Sequence, residues 1–276
     1  MKLLSFLYDG RRHAGVLAGD RVFPIDAINA RHGTRLPDDL LAIVRGGEPV
    51  PPDGAEWLPV TEVKPALPYD VPPKIWCIGL NYHSHAVDIH AVQPEEPGSF
   101  MKPASCMFPP GGEIRLPPPH ISSDVDAEGE LGVVIGRTCK AVPPGQAGEV
   151  IFGYTTTLDL TALDVLARNP RYLTRAKSLD TFFSFGPVIV TADEIADVEA
   201  LEVVTEHNGA VWSRDFVRNM RHRPLELVSF HSDYMTLHPG DLISTGCPKG
   251  ARIRAGDRVR ARIDGVGSLE ATVTGC

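Results

Sequence analysis

The sequence predicts a β-rich α+β fold, with a small β-rich domain and Pro-rich linker over residues 1–70 and a larger domain over residues 71–276. Three observations support this. Short apolar runs of strand length recur along the chain, helical periodicity is confined to a few brief stretches, and 25 prolines and 26 glycines break the chain at frequent turns.

The N-terminal module opens with strand-like runs at Leu3 to Tyr8 and Gly15 to Leu17 around the turn Asp9-Gly10, with a third at Arg21 to Pro24. A weakly helical stretch, Leu40 to Val44, precedes the prolines at 49, 51, 52, 65, 68, 72 and 73, which resist regular structure and mark the boundary. Strands are expected beyond it at Ile75 to Ile78, Glu130 to Ile135, Ile151 to Leu158, Val188 to Val190, Leu201 to Glu206, Leu242 to Ser244, Arg258 to Ile263 and Leu269 to Val273. Helical patterns fall at Tyr82 to His90, Ala162 to Asn169 and Leu225 to Tyr234.

Bulk properties exclude several function classes. A chain of 276 residues with 43% hydrophobic and 22% charged residues can bury a substantial core without disulfides. Its charge, 27 − 35 = −8, disfavours nucleic acid as a partner. No apolar run approaches the roughly 20 residues that span a bilayer, and Asp9 and Arg11 interrupt the N-terminal apolar stretch, so a cytoplasmic protein is expected. The five cysteines form no CxxC pair, which points away from a disulfide framework or zinc-thiolate site. Serine-nucleophile, phosphate-loop and dinucleotide fingerprints are missing as well.

The chemistry concentrates in DAEGELGVVIG, residues 126–136. On a strand, Glu128 and Glu130 project from one face, and the apolar run that follows should carry Glu130 into the interior, where a carboxylate needs a partner. Asp159 ends another strand-like run and could approach the same point. Three carboxylates with waters suit Mg²⁺, with Mn²⁺ or Ca²⁺ as substitutes. A solvated strand edge is the alternative. His85 and Asp88, three apart on a helical turn, make a plausible acid/base pair, and a lid histidine bonded to backbone is its alternative. His83, His85 and His90 admit a zinc site, though His90 would have to turn back beside the others.

Six segments in order resemble the fumarylacetoacetate hydrolase family, in particular its acylpyruvase and hydroxyheptadienedioate isomerase-like branch. They are KIWCIGLNYHSHAVDIH (74–90), FMKP (100–103), DAEGELGVVIG, GYTTTLDLTALD (153–164), RAKSLDTFFSFGP (175–187) and LHPGDLISTGCPKG (237–250). The resemblance covers most of residues 74–270. It implies a mixed β-sandwich roll, a homodimer, and one metal held by Glu128, Glu130 and Asp159. It also implies an active-site lysine at Lys177, a water-activating pair at His85 and Asp88, and substrate contacts at Tyr82, Lys102, Leu163, Leu166, Gly246 and Cys247.

Three departures from the family pattern stand out. Leu163 and Leu166 occupy positions where the family usually has arginine and often glutamine, so the substrate there should be less charged or more apolar, unless these leucines merely pack a helix on the sheet. Cys247 stands where threonine is usual, and Asp88 is one methylene shorter than the usual glutamate. The expected activity is metal-dependent hydrolysis of a carbon-carbon bond in an acylpyruvate-like 2-oxo acid, with an enolate as leaving group. Isomerisation, decarboxylation, dehydration and a non-catalytic ligand-binding protein are the alternatives.

Overall fold

The computed structural model describes residues 1–88 and 90–276, with the side chain of Asp88 outside the description. Strands β1 (Lys2–Tyr8), β2 (Arg11–Ala18) and β3 (Arg21–Pro24) form a meander. Its first turn places Asp9 and Gly10 at positive φ, the conformation for which an Asp-Gly pair is suited. Helix α1 (Ile25–His32) follows, then α2 (Leu40–Gly46), in which Asp39 caps the N-terminus through the Ala42 N–H and Gly47 closes the C-terminus in the left-handed region. The Pro-rich segment contributes only β4 (Leu58–Pro59) and β5 (Lys64–Pro65), which pair back onto β3 and β1.

The rest of the chain supplies β6 (Ile75–Gly79), α3 (His83–Asp88), β7 (Gly98–Met101), β8 (Glu113–Arg115), β9 (Val125–Ile135) and β10 (Ile151–Ala162). Then come α4 (Leu163–Arg168), α5 (Leu173–Lys177), β11 (Phe183–Phe185), β12 (Val188–Thr191), β13 (Glu202–His207) and β14 (Ala210–Phe216). Helix α6 (Pro224–Tyr234), β15 (Leu242–Ser244), β16 (Ala251–Arg252), β17 (Arg258–Ile263) and β18 (Gly267–Thr274) complete it.

These strands build two packed sheets. The larger runs β4-β3-β2-β1-β12-β10-β9-β15-β6-β7, with β11 on β10 and β16 on β9, and the smaller runs β14-β13-β17-β18-β8. The N-terminal meander joins the larger sheet where Lys2 to Leu4 pair with Val188 to Val190. A β-rich α+β architecture is therefore observed, as the recurring strand-length runs predict.

Strand β9 is central and buried along its whole length, because both its faces are covered. Leu131 and Val133 share a core with Val203 and Ile263 of the smaller sheet. Gly129 permits that approach, since a Cβ there would lie 2.7 Å from Thr205 Oγ1 and 3.0 Å from the Ala261 Cβ. The sheets thus meet across one face of β9 and leave the opposite face for the glutamates. No helix among the described residues is long and apolar enough to cross a membrane.

Candidate active site

The site is built from cross-strand register. In the antiparallel β9–β10 pair, Asp159 lies directly opposite Glu128, and Thr157 opposite Glu130. Like charges in that position repel across about 5 Å, and the structure answers with lysines. Lys177, at the last turn of α5, donates from Nζ to Glu128 Oε2 at 2.9 Å and to Asp159 Oδ2 at 2.8 Å. Its ammonium sits 5.0 Å from the Phe100 ring, so the FMKP segment flanks this lysine as well as supplying Lys102.

Lys102, expected from the sequence as a substrate contact, has a fully buried ammonium that pairs with Asp159 Oδ1 and donates to the carbonyls of Leu160 (3.1 Å) and Phe182 (2.6 Å). Three acceptors match the three protons of an ammonium. Its position therefore makes it the countercharge of Asp159, held by protein groups on every side.

The three carboxylates are treated differently. The Lys102 and Lys177 ammonium groups override burial and hold Asp159 below the ordinary carboxylate range. Glu130 is 1% exposed, and burial, with Asp159 and Glu128 nearby, pushes it up to about 8. It accepts hydrogen bonds on Oε2 from Ser244 Oγ (2.5 Å) and the Gly246 N–H (2.9 Å). Thr161 Oγ1 donates to Glu128 Oε1. Lys177 is held well above its ordinary value by Asp159 and Glu128, which outweigh its desolvation, so it remains an ammonium.

The late loop owes its place to an interrupted pairing. Strand β15 pairs with Gly132 to Val134 of β9, and β16 rejoins the same strand at Asp126 and Ala127. Residues 245–250 therefore leave the ladder beside Glu128 and Glu130. Gly246 is at φ 95°, and a Cβ there would lie 2.9 Å from the Asn81 Cβ and 3.0 Å from the Ile78 carbonyl oxygen, so glycine alone fits while presenting its N–H to Glu130. Asn81 fixes the loop by donating to the carbonyls of Thr245 (2.7 Å) and His222 (2.8 Å). The Cys247 Sγ and one oxygen from each of Glu128 and Glu130 lie within 4.8 Å of one another, the single such group of potential metal donors among the described residues. No histidine belongs to it.

Tyr82 is fully buried, and its hydroxyl has no hydrogen-bond partner among the described residues. His85 lies half-buried on α3, whose Ser84 hydroxyl donates to Asp215 Oδ2 (2.9 Å) and reaches the Pro248 carbonyl of the late loop (3.5 Å). The side chain of Asp88, its expected partner, lies outside the described residues. Leu163 and Leu166 are half-buried on α4, with Leu166 packed against the larger core.

Sequence reasoning passed over Thr161, Ser244 and Asn81, which orient the glutamates and loop, and over Asp126. Alternation through 126, 128 and 130 would have placed Asp126 on the glutamates' side of β9. Burial and Glu128 push that carboxyl up to about 7.

The residues present fit a divalent cation. Oxygens of the buried Glu128 and Glu130 lie within 4.8 Å of one another, with Asp159 opposite Glu128 on the next strand, and a cation there would offset the like charges.

Residues 74–274 match the family described as Fumarylacetoacetate (FAA) hydrolase C-terminal. A mitochondrial oxaloacetate tautomerase of Bos taurus is 35% identical over 221 residues, covering 77% of this chain and 70% of its own. A 5-carboxymethyl-2-hydroxymuconate delta-isomerase from Mycobacterium smegmatis superimposes with TM-score 0.80 and 30% identity, over 100% of this chain and 99% of that one. A maleylpyruvate hydrolase from Sphingobium sp. SYK-6, solved with manganese(II) and pyruvate, gives 0.79 and 29% over 100% and 99%.

Proposed function

This chain belongs to the fumarylacetoacetate hydrolase family, and from that premise we propose that it is a divalent-metal-dependent enzyme acting on a 2-oxo acid through its enolate, cleaving a carbon-carbon bond of an acylpyruvate-like substrate by hydrolysis. The observation that carries this reading is the convergence of Glu128, Asp159 and Lys177 in one buried cluster with Glu130 alongside. Mg²⁺ or Mn²⁺ held by Glu128, Glu130 and Asp159 would supply Lewis acidity toward the oxygens of a 2-oxo carboxylate.

The chain's own residues do the rest. Because Lys177 keeps its proton, it acts as a fixed positive donor to an oxygen on which negative charge develops, and a base has to come from elsewhere. His85 is assigned that role, taking a proton from water that attacks the carbonyl remote from the carboxylate. Tyr82, whose buried hydroxyl is unpartnered among the described residues and which is close enough to Cys247 and Glu130 to feel their charge, is assigned with Cys247 to contact the substrate. A homodimer, which the resemblance implies, is part of this proposal, as is a cytoplasmic location.

A second reading, tautomerisation of a 2-oxo acid, is favoured by the Bos taurus relative named an oxaloacetate tautomerase. It needs the same enolate-stabilising set but no activated water.

The test follows ultraviolet absorbance of a simple acylpyruvate with Mg²⁺, with Mn²⁺ and with chelator, alongside enol-oxaloacetate. Metal-dependent release of pyruvate and a carboxylic acid supports hydrolysis, and His85→Ala should then lower turnover by about 10²–10⁴-fold. Full turnover in that variant would remove His85 from the mechanism. Enol decay without cleavage would transfer the assignment to tautomerase.

A further inference from the structure

The donors that converge in this chain are two carboxylates and a thiol. Asp159 has both oxygens engaged by Lys102 and Lys177. The group whose donor atoms come within 4.8 Å instead comprises Glu128, Glu130 and Cys247, all buried, with Cys247 4% exposed. Its backbone is fixed from both sides, by Asn81 at Thr245 and by β16 rejoining β9 at Asp126 and Ala127. Tyr82, close enough to Cys247 and Glu130 to feel their charge, has a hydroxyl that is buried and unpartnered among the described residues.

We propose that Cys247 is a metal ligand, and that with Glu128 and Glu130 it gives this centre a mode selective for thiophilic divalent ions such as Zn²⁺, Cd²⁺ and Co²⁺, in competition with Mg²⁺ and Mn²⁺. The inference rests on the proposed function in one respect, that the two glutamates hold a cation. Carboxylate donors alone suit hard ions, whereas one sulfur donor shifts preference toward softer ones. The Sγ lies within 4.8 Å of one oxygen of each glutamate, so a single cation between them can reach all three donors. On coordination the Sγ proton leaves to solvent and the sulfur binds as thiolate, so a soft ion should bind with proton release. Geometry favours this role over nucleophilic catalysis, because the metal-donor atoms grouped with the sulfur among the described residues are carboxylate oxygens.

The experiment uses the 276-residue chain with Cys139→Ser and Cys276→Ser, which removes the half-buried and exposed thiols. Mn²⁺ binding is read by electron paramagnetic resonance, and Cd²⁺ is added while the thiolate-to-cadmium charge-transfer band is followed in the ultraviolet. The expected result is displacement of Mn²⁺ with growth of the band to one equivalent. Introducing Cys247→Thr should abolish the band and lower the preference for Cd²⁺ over Mn²⁺ by about ten- to a hundredfold.

A band that survives Cys247→Thr, or an unchanged ion preference, overturns the inference while leaving the metal centre standing. Failure of the parent protein to bind Mn²⁺ removes the carboxylate centre itself, and Cd²⁺ binding without that centre would refute both readings. Retained Mn²⁺ binding reports that the variant is folded, and Cys247→Ser carries the same comparison if the threonine variant is not.

Discussion

Two groups of charges in this molecule use the same chemistry in opposite surroundings. Against the larger sheet, Lys102 and Lys177 are buried with Glu128 and Asp159. On the smaller sheet, Arg260 reaches Glu206 at 3.4 Å and also pairs with Glu270, while Arg262 reaches Glu206 at 3.1 Å and Asp264 at 2.5 Å, all near solvent. Water can replace partners readily in the second group and much less so in the first, where the Lys102 and Asp159 side chains are 0% and 1% exposed. Geometry alone therefore does not rank ion pairs, since the cost of breaking one is set by what is left behind.

The largest effect should come from Lys102→Met. It leaves Asp159 buried with Lys177 as its remaining cation and should cost about 3–5 kcal/mol in chemical denaturation. Adding Asp159→Asn removes the stranded charge, so the double variant should recover part of the loss. If the double variant is as unstable as the sum of both single ones, the charge pairing is not what Lys102 contributes.

Next comes the pH dependence of stability in chelator. Burial, with Asp159 and Glu128 nearby, pushes Glu130 from an ordinary 4.5 up to about 8 in the folded protein. Between those values the folded state holds a proton that the unfolded state has released, so stability should fall as pH rises through that window. Asp159 has the opposite sign, its lowered value giving stability that is lost only as pH falls below the ordinary carboxylate range. Mn²⁺ at 100 times its Kd should add about 2.7 kcal/mol, and at one fixed Mn²⁺ concentration the gain in Tm should be larger near the top of the window. An unchanged slope in Glu130→Gln would show that another group carries the titration.

The buried cluster was more legible in sequence than the packing that surrounds it. Two-residue spacing placed Glu128 and Glu130 on one side of a strand, and Asp159 stood at the end of another, because alternation is local. The expected strand nonetheless began at Glu130, whereas β9 starts at Val125. Asp126 and Glu128 do not read as strand until a neighbour covers them. Helix α5, which delivers Lys177, has five residues, too few to show a period. Helix α1 buries only Ile25 and Ile28 and has no side-chain cap, so its pattern was faint. Strand β14 is an exposed edge without an apolar face. The nearness of Cys247 to both glutamates depends on β15 and β16 flanking a gap on β9, a pairing with no local signature.

Gly129→Ala probes the seam between the two regions. The added Cβ would press on Thr205 Oγ1 and Ala261, on the side of β9 facing the smaller sheet. Overpacking of a filled interior costs about 1–3 kcal/mol, and Thr205 also accepts the Gly129 N–H at 3.2 Å. Because the displaced strand carries both glutamates, weaker Mn²⁺ binding should accompany the lower Tm. Loss of stability with unaltered Mn²⁺ affinity would mean that the two sides of β9 are mechanically independent.

The smallest effect should come from Arg260→Ala, despite the number of charged groups around it. Its side chain is 44% exposed, and its partners Glu206 and Glu270 can be hydrated when it is removed. A double-mutant cycle with Glu270→Ala should give about 0.2–1 kcal/mol. Raising ionic strength to about 1 M, where the screening length is about 3 Å, should reduce the coupling further. The salt bridge of the buried pair Lys102 and Asp159 should respond far less to the same change, because counterions cannot reach it. Equal salt sensitivity at the two places would mean that water enters the carboxylate cluster freely, and the contrast between a stranded charge and a hydrated one would then fail as the explanation of their different costs.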